Sequence, residues 1–299
     1  MFKKITRGIG IATAAFALMF SVAACSSDSD DKGAADKNIT LGIIPSWTDG
    51  LATAYLWKNI LEDEGYTVKI TEIAEAAPLY TGLSKGDIDI YPSAWSEVTH
   101  ADYMKKYGND LEDLGAYYEG AGLFLAVPDY SDAKSIADLP DNAAKFNNKI
   151  VGIEAGAGLT RATKEDVMPA YKLNEAGFEL VESSTTAMLA ELKRAVERKQ
   201  DIVVTLWAPF WANSEFPVRP LEDPKTAFGE LEDLHAIATA GFAKKHPEVA
   251  DLFANFKLDG DAFGSLEALV TAEEWDGDPA GAVQAWLDEN PDFVAGLKG

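Results

Sequence analysis

The sequence predicts an α/β fold of two lobes around a hinged ligand cleft, and three observations lead there. From Asn38 onward, short apolar runs of strand type alternate with helix-forming segments, the pattern that lays helices over a sheet. The alternation restarts after the apolar run 122–128, so a second lobe follows the first. Three tryptophans, Trp47, Trp95 and Trp207, each stand where a strand-like run gives way to a loop. In an open α/β sheet, ligands bind just beyond the carboxyl ends of the strands.

The elements follow in order. Residues 39–44 are a buried strand leading through Pro45 and Ser46 to Trp47. Residues 50–64 are helical in composition, with Gly65 as a C-cap. Residues 66–73 alternate as a strand, a short helix spans 79–84, and the run 88–91 leads to Trp95. Residues 100–107 read as a helix, and the run 122–128 carries the first crossing between lobes. In the second lobe, 149–153 is a strand and 154–160 a glycine-rich turn opening a helix. After the strand 178–181, Ser183 or Ser184 caps a helix with Met188, Leu189, Leu192 and Val196 on one stripe. Residues 202–206 deliver Trp207. Residues 235–242 return the chain to the first lobe, which helices carrying Trp275, Val283, Trp286 and Leu287 complete. The expected division is 38–127 with 235–299 as lobe 1 and 128–234 as lobe 2. Trp47 and Trp95 then come from one lobe and Trp207 from the other, across two crossings that form a hinge.

The first residues read as an address. Lys3, Lys4 and Arg7 precede an apolar stretch, 8–24, shorter than the ~20 residues of a membrane span. Val22-Ala-Ala-Cys25 places the only cysteine after small residues, in the pattern of a lipobox. Residues 1–24 are expected to be a lipoprotein signal peptide, Cys25 the acylated N-terminus, and 25–37 a flexible tether. The expected location is extracytoplasmic, held at the cell membrane by that lipid alone. With Cys25 used, no disulfide is available, and stability rests on an ordinary core.

Loss of residues 1–24 removes Lys3, Lys4 and Arg7 and no acid, taking the formal charge from −23 to −26. So acidic a surface argues against nucleic acid and anionic headgroups as partners, and repels a purely anionic ligand. A zwitterion or a cation meets no such barrier. His100, His235 and His246 stand far apart with no second ligand at metal spacing, so no metal and no cofactor is expected.

Three indoles at equivalent strand ends suit a box for a cation that cannot donate hydrogen bonds, such as a quaternary ammonium held over ring faces; the alternative is that all three are core. Gly156-Ala-Gly158-Leu159 joins a strand to a helix, where free amides and the helix dipole favour a carboxylate. It lacks nucleotide-binding spacing, and a tight turn without ligand is the other reading. His100 either donates to a carboxylate or is a surface or capping histidine. Phe210 and Trp211 are expected to pack under the site, and Trp57, Trp275 and Trp286 to pack elsewhere. Acid pairs such as Asp63–Glu64 and Glu232–Asp233 read as solvated helix faces. No serine has a nucleophile elbow, and no catalytic residue is assigned.

With these residues in view, the chain resembles the glycine betaine and proline betaine binding proteins of ABC importers, the OpuAC-type family, from about Ile39 to the C-terminus. The resemblance is carried by the Trp47 segment with its helix ending Leu61-Glu-Asp-Glu-Gly-Tyr66, by Ser93-Ala-Trp95 with His100, by Thr205-Leu-Trp207-Ala-Pro-Phe-Trp211, and by Gly152 to Leu159. It implies a periplasmic-binding-protein-like α/β fold, two-lobed with a hinged ligand cleft. It also implies that Trp47, Trp95 and Trp207 box a trimethylammonium group, while the Gly158 and Leu159 amides with His100 hold the carboxylate. The partners implied are a small zwitterionic quaternary-ammonium ligand and an ABC permease, with the binding protein a monomer. Thr48 departs from an acidic residue that follows the first tryptophan in some members. Choline, carnitine and ectoine remain alternative ligands on the same scaffold; an extracytoplasmic hydrolase is the alternative from another class.

Overall fold

The computed structural model describes residues 37–297. The expected signal peptide, the acylation of Cys25 and the tether through residue 36 lie outside the described residues. Among the described residues nine strands make one sheet, eight of them in the order β2-β1-β3-β9-β4-β7-β5-β6, with β8 beside β4. They are β1 Asn38–Ile43, β2 Thr67–Glu72, β3 Ile90–Ala94, β4 Leu111–Pro128, β5 Lys149–Val151, β6 Glu179–Val181, β7 Val203–Ala208, β8 Val218–Pro220 and β9 Glu232–Thr239. Among the described residues no helix is long and apolar enough to cross a membrane.

The first half of the sheet is built on β1, which pairs in parallel with β2 and β3. Ile39, Leu41 and Ile43 alternate along β1, so they share one face of the sheet, and all three are buried. Helix α1, Thr48–Asp63, covers one face, and helix α2, Ala76–Lys85, follows β2. In α1, Ala52, Leu56, Trp57, Ile60 and Leu61 are buried at the spacing of a single helical stripe. Helix α1 stops where Gly65 takes φ +80°, a conformation that only glycine adopts without strain. Trp57 stacks on Phe253 at 3.7 Å between ring centres, and Trp286 is also buried, so both pack as expected. Truncating such a buried indole costs about 3–5 kcal/mol.

Strand β4 runs through both halves. Its early part pairs antiparallel with β9, from Leu111↔Thr239 to Ala121↔Glu232, and its later part with β7, from Gly122↔Ala208 to Ala126↔Val204. Register shifts, with Gly115 at φ +115° and Gly120 at φ +80°, bend it along the way. The apolar run in the sequence is only the later part, because the bent part lacks regular alternation. The second half then adds β5 and β6 in parallel. Its Thr185–Arg198 helix is capped by Ser184, whose hydroxyl accepts from the Ala187 amide at 3.2 Å. Ser183 instead donates to the Gly152 carbonyl. Met188 and Leu192 face inward, buried.

Candidate functional site

Each tryptophan is placed by the end of a strand. Beyond β1, a turn closed by the Trp47 amide donating to the Ile44 carbonyl at 3.0 Å puts Trp47 at the head of α1. Trp95 follows directly on β3. Trp207 is the penultimate residue of β7, its carbonyl accepting from the Asn213 amide group at 2.8 Å. The three converge on one cavity, also lined by Asp49, Thr99, His100, Leu123, Ile153, Ala157, Gly158 and Leu159. All six residues singled out from the sequence therefore meet in a single space between the halves of the sheet. None of the three tryptophans is more than 7% exposed: they belong to the buried core and line the cavity from it.

The rings are held from behind. The Trp47 indole N–H donates to Glu154 at 3.3 Å, and the Trp95 N–H donates to Asp49 at 3.1 Å. With these N–H groups taken by carboxylates, the two rings have only π-surface left to offer. Trp207 stacks on Phe210 at 3.9 Å, which places Phe210 under the site. Asp49 also accepts from the Ser93 hydroxyl at 2.5 Å, explaining the serine two residues before Trp95. Burial pushes the Asp49 carboxyl up, opposed by the hydrogen bonds from Ser93 and Trp95.

His100 is buried and, although it heads helix α3 (Ala101–Tyr107), its side chain makes no cap hydrogen bond. Burial, followed by the Arg161 charge, lowers its pKa to about 3, so the imidazole is neutral. Its Nδ1 lies 3.1 Å from the Tyr80 hydroxyl, which burial holds protonated far into alkali. A buried hydroxyl with no other acceptor donates to Nδ1, and we assign the ring proton to Nε2. The ring is thereby left with one donor for a ligand oxygen.

The glycines at the start of helix α4, Gly158–Ala162, have a further cause. A Cβ on Gly158 would lie 2.3 Å from the Thr99 carbonyl, and one on Gly156 would lie 2.4 Å from the Glu75 carboxylate. The segments carrying Thr99 and Glu75 come that close. Tyr103 also donates to the Gly156 carbonyl at 3.3 Å.

The roles of four acids escaped the sequence. Glu232 is no solvated helix residue: it is buried on β9 and accepts from the amides of Glu97, Val98 and Thr99 and from the Thr99 hydroxyl. Four donors compensate its charge and hold the loop that ends in His100. Thr48 donates to Glu267 at 2.8 Å, and the acid beside the box is its neighbour Asp49. Burial and the Asp49 charge raise Glu267 to about 8 against the hydrogen bonds from Thr48 and the Trp211 amide. Asp49, Glu154 and Glu267 are lone acids in apolar or loop sequence, and only their partners in space give them meaning.

Residues 37–289 match the model of the substrate-binding domain of ABC-type glycine betaine transport systems. The chain is 36% identical over 158 residues to the glycine betaine/carnitine transport binding protein GbuC of Listeria monocytogenes serotype 1/2a (strain 10403S). That stretch is 52% of this chain and 50% of GbuC, so the match spans half the length of that relative. Its fold is similar to the glycine betaine/L-proline-binding protein ProX of Borrelia burgdorferi, with TM-score 0.80 and 29% identity over 86% of this chain and 95% of that one. It is similar too to lactococcal OpuAC in its closed form complexed with glycine betaine, with TM-score 0.79 and 28% identity over 88% and 99% of the two chains. These are two-lobed binding proteins, and the chain belongs to the family of substrate-binding domains of ABC-type glycine betaine transport systems.

Proposed function

We propose that the protein captures a zwitterionic quaternary-ammonium solute, glycine betaine or proline betaine, closes on it, and presents it to the permease of an ABC importer. It does no chemistry on the ligand. The observation that carries this reading is the single cavity walled by Trp47, Trp95 and Trp207 and floored by His100, Gly158 and Leu159. A trimethylammonium group has a diffuse charge and no N–H, so aromatic faces are among its few good partners. A desolvated cation–π contact contributes ~2 kcal/mol. Micromolar affinity requires about −8 kcal/mol, which three faces and a carboxylate clamp supply after the ordering cost of binding. The clamp consists of the Gly158 and Leu159 amides and His100 Nε2–H, donors for which a neutral imidazole suffices. Closure of the two lobes supplies the third wall of the box, so affinity and closure are linked.

In this reading the body works outside the cytoplasm as a monomer, tethered by residues 25–37 to a lipid on Cys25. What supports the anchor is the basic start, the short apolar stretch and the small residues before the lone cysteine.

The test is isothermal titration of the full chain against glycine betaine, proline betaine, choline and ectoine. Micromolar binding (about −8 kcal/mol) is expected for a betaine, with choline weaker because it lacks the carboxylate. Choline binding more tightly than betaine would overturn the clamp, and no binding to any of the four would remove the reading. Trp207→Ala is expected to weaken betaine binding by about tenfold or more without unfolding the protein; unchanged affinity in that variant contradicts the box.

A further inference from the structure

We propose that Glu154 is a positioning residue that fixes the Trp47 ring in the box only when the two lobes meet. Glu154 follows β5 in the second lobe, and its side chain is buried at the edge of the cleft. Its Oε1 accepts from the Thr185 amide at 3.0 Å and from the Ser46 hydroxyl at 3.2 Å. Its Oε2 accepts from the Thr185 hydroxyl at 2.9 Å and from the Trp47 indole N–H at 3.3 Å. Each oxygen thus takes one donor from its own lobe and one from the other.

The pattern demands a carboxylate. Hydroxyls can turn to accept, but the Thr185 amide and the Trp47 indole only donate, and they sit on different oxygens. A glutamine has a single acceptor oxygen, so in either orientation its NH2 would face one of these N–H groups. The Thr185–Arg198 helix does not explain the cross-lobe half of the arrangement, because Ser184 already caps that helix. Opening the lobes leaves Thr185 on Glu154 and frees Ser46 and Trp47. Closing them returns the Trp47 N–H to an anion, orients the ring, and adds a negative charge behind it, which strengthens its face towards a cation.

This rests on the betaine reading of the box, and the experiment separates the two. Glycine betaine is titrated into wild type, Glu154→Gln, Trp47→Phe and the double variant, with thermal midpoints taken for each. Glu154→Gln is expected to weaken binding about tenfold, the effect of facing a buried donor with another donor. In the Trp47→Phe background the same change is expected to cost less than about twofold, since the amide NH2 then meets no obligate donor. Equal losses in both backgrounds, or no loss in either, would overturn the role of Glu154. Failure of wild type to bind would instead overturn the betaine reading and this inference with it. Should Glu154→Gln not fold, hydrogen exchange of the Trp47 indole N–H in wild type decides, the signal being assigned from Trp47→Phe. The exchange is expected to slow about tenfold or more on adding betaine, and unchanged exchange counts against the proposal.

Discussion

His100 can serve a ligand carboxylate because burial keeps it neutral. With a pKa of about 3, its ring carries no charge near neutrality, and its Nδ1 takes a proton donated by Tyr80. The remaining donor, Nε2–H, is set by a hydroxyl that touches nothing in the cavity. Tyr80→Phe is therefore expected to weaken betaine binding about tenfold by releasing the tautomer, measured by titration calorimetry. Wild-type affinity should stay flat from about pH 8 to pH 5, across the range in which an ordinary histidine gains its charge; a drop centred near pH 6.5 would contradict a buried, neutral His100. At this scale the tryptophans were legible because strand ends announce them. Tyr80, Asp49 and Glu154 were not, since their meaning comes from partners far along the chain: Glu154 and Trp47 are 107 residues apart.

Among the elements, the glycine-rich turn before α4 is the part most exposed to misreading. Glycine before a helix suits an anion site, and the sequence left open whether this was one or merely a tight turn. The structure adds a steric cause, because a Cβ on Gly158 would meet the Thr99 backbone. Thr99 cannot retreat easily, being held by Glu232 through its amide at 2.9 Å. Gly158→Ala is expected to hold the lobes apart and weaken betaine binding by about tenfold or more, with little change in thermal midpoint, since a strained contact between lobes costs about 1–3 kcal/mol. A full-affinity Gly158→Ala protein would mean that the lobes never approach this closely when loaded. The alternation of strand and helix was legible over most of the described residues. The early half of β4 was not, because its glycines and register shifts erase the period that marks a strand.

For the molecule as a whole, folding buries acids together as well as rings. Glu267 sits beside Asp49 with one buried oxygen that has no hydrogen-bond partner among the described residues, and its pKa rises from 4.5 to about 8. The folded chain therefore keeps a proton that the unfolded chain loses, and this contribution to stability falls as pH rises from about 4.5 to about 8. Glu267→Gln is expected to flatten that fall and to raise the thermal midpoint at pH 8 by a few degrees, of the order produced by 1 kcal/mol or more; an unchanged pH profile would show that Glu267 is charged and compensated in the native state. None of this was legible in a chain of −23 formal charge, where one more acid in a helix looks like solvated surface. The two-lobed α/β plan was legible, because tryptophans at matching strand ends and a repeated alternation are both properties of local sequence.

The central claim is that buried indole faces select a positive charge, and one comparison bears on it most directly. Glycine betaine and 3,3-dimethylbutanoate share shape and carboxylate, but carbon replaces the cationic nitrogen in the second. Titrated side by side into the full chain, the betaine is expected to bind at least about thirtyfold more tightly, the worth of ~2 kcal/mol of desolvated cation–π attraction. Equal affinity for the two would show that the tryptophans form a hydrophobic pocket for a tert-butyl shape, and the box would lose its meaning as a cation site.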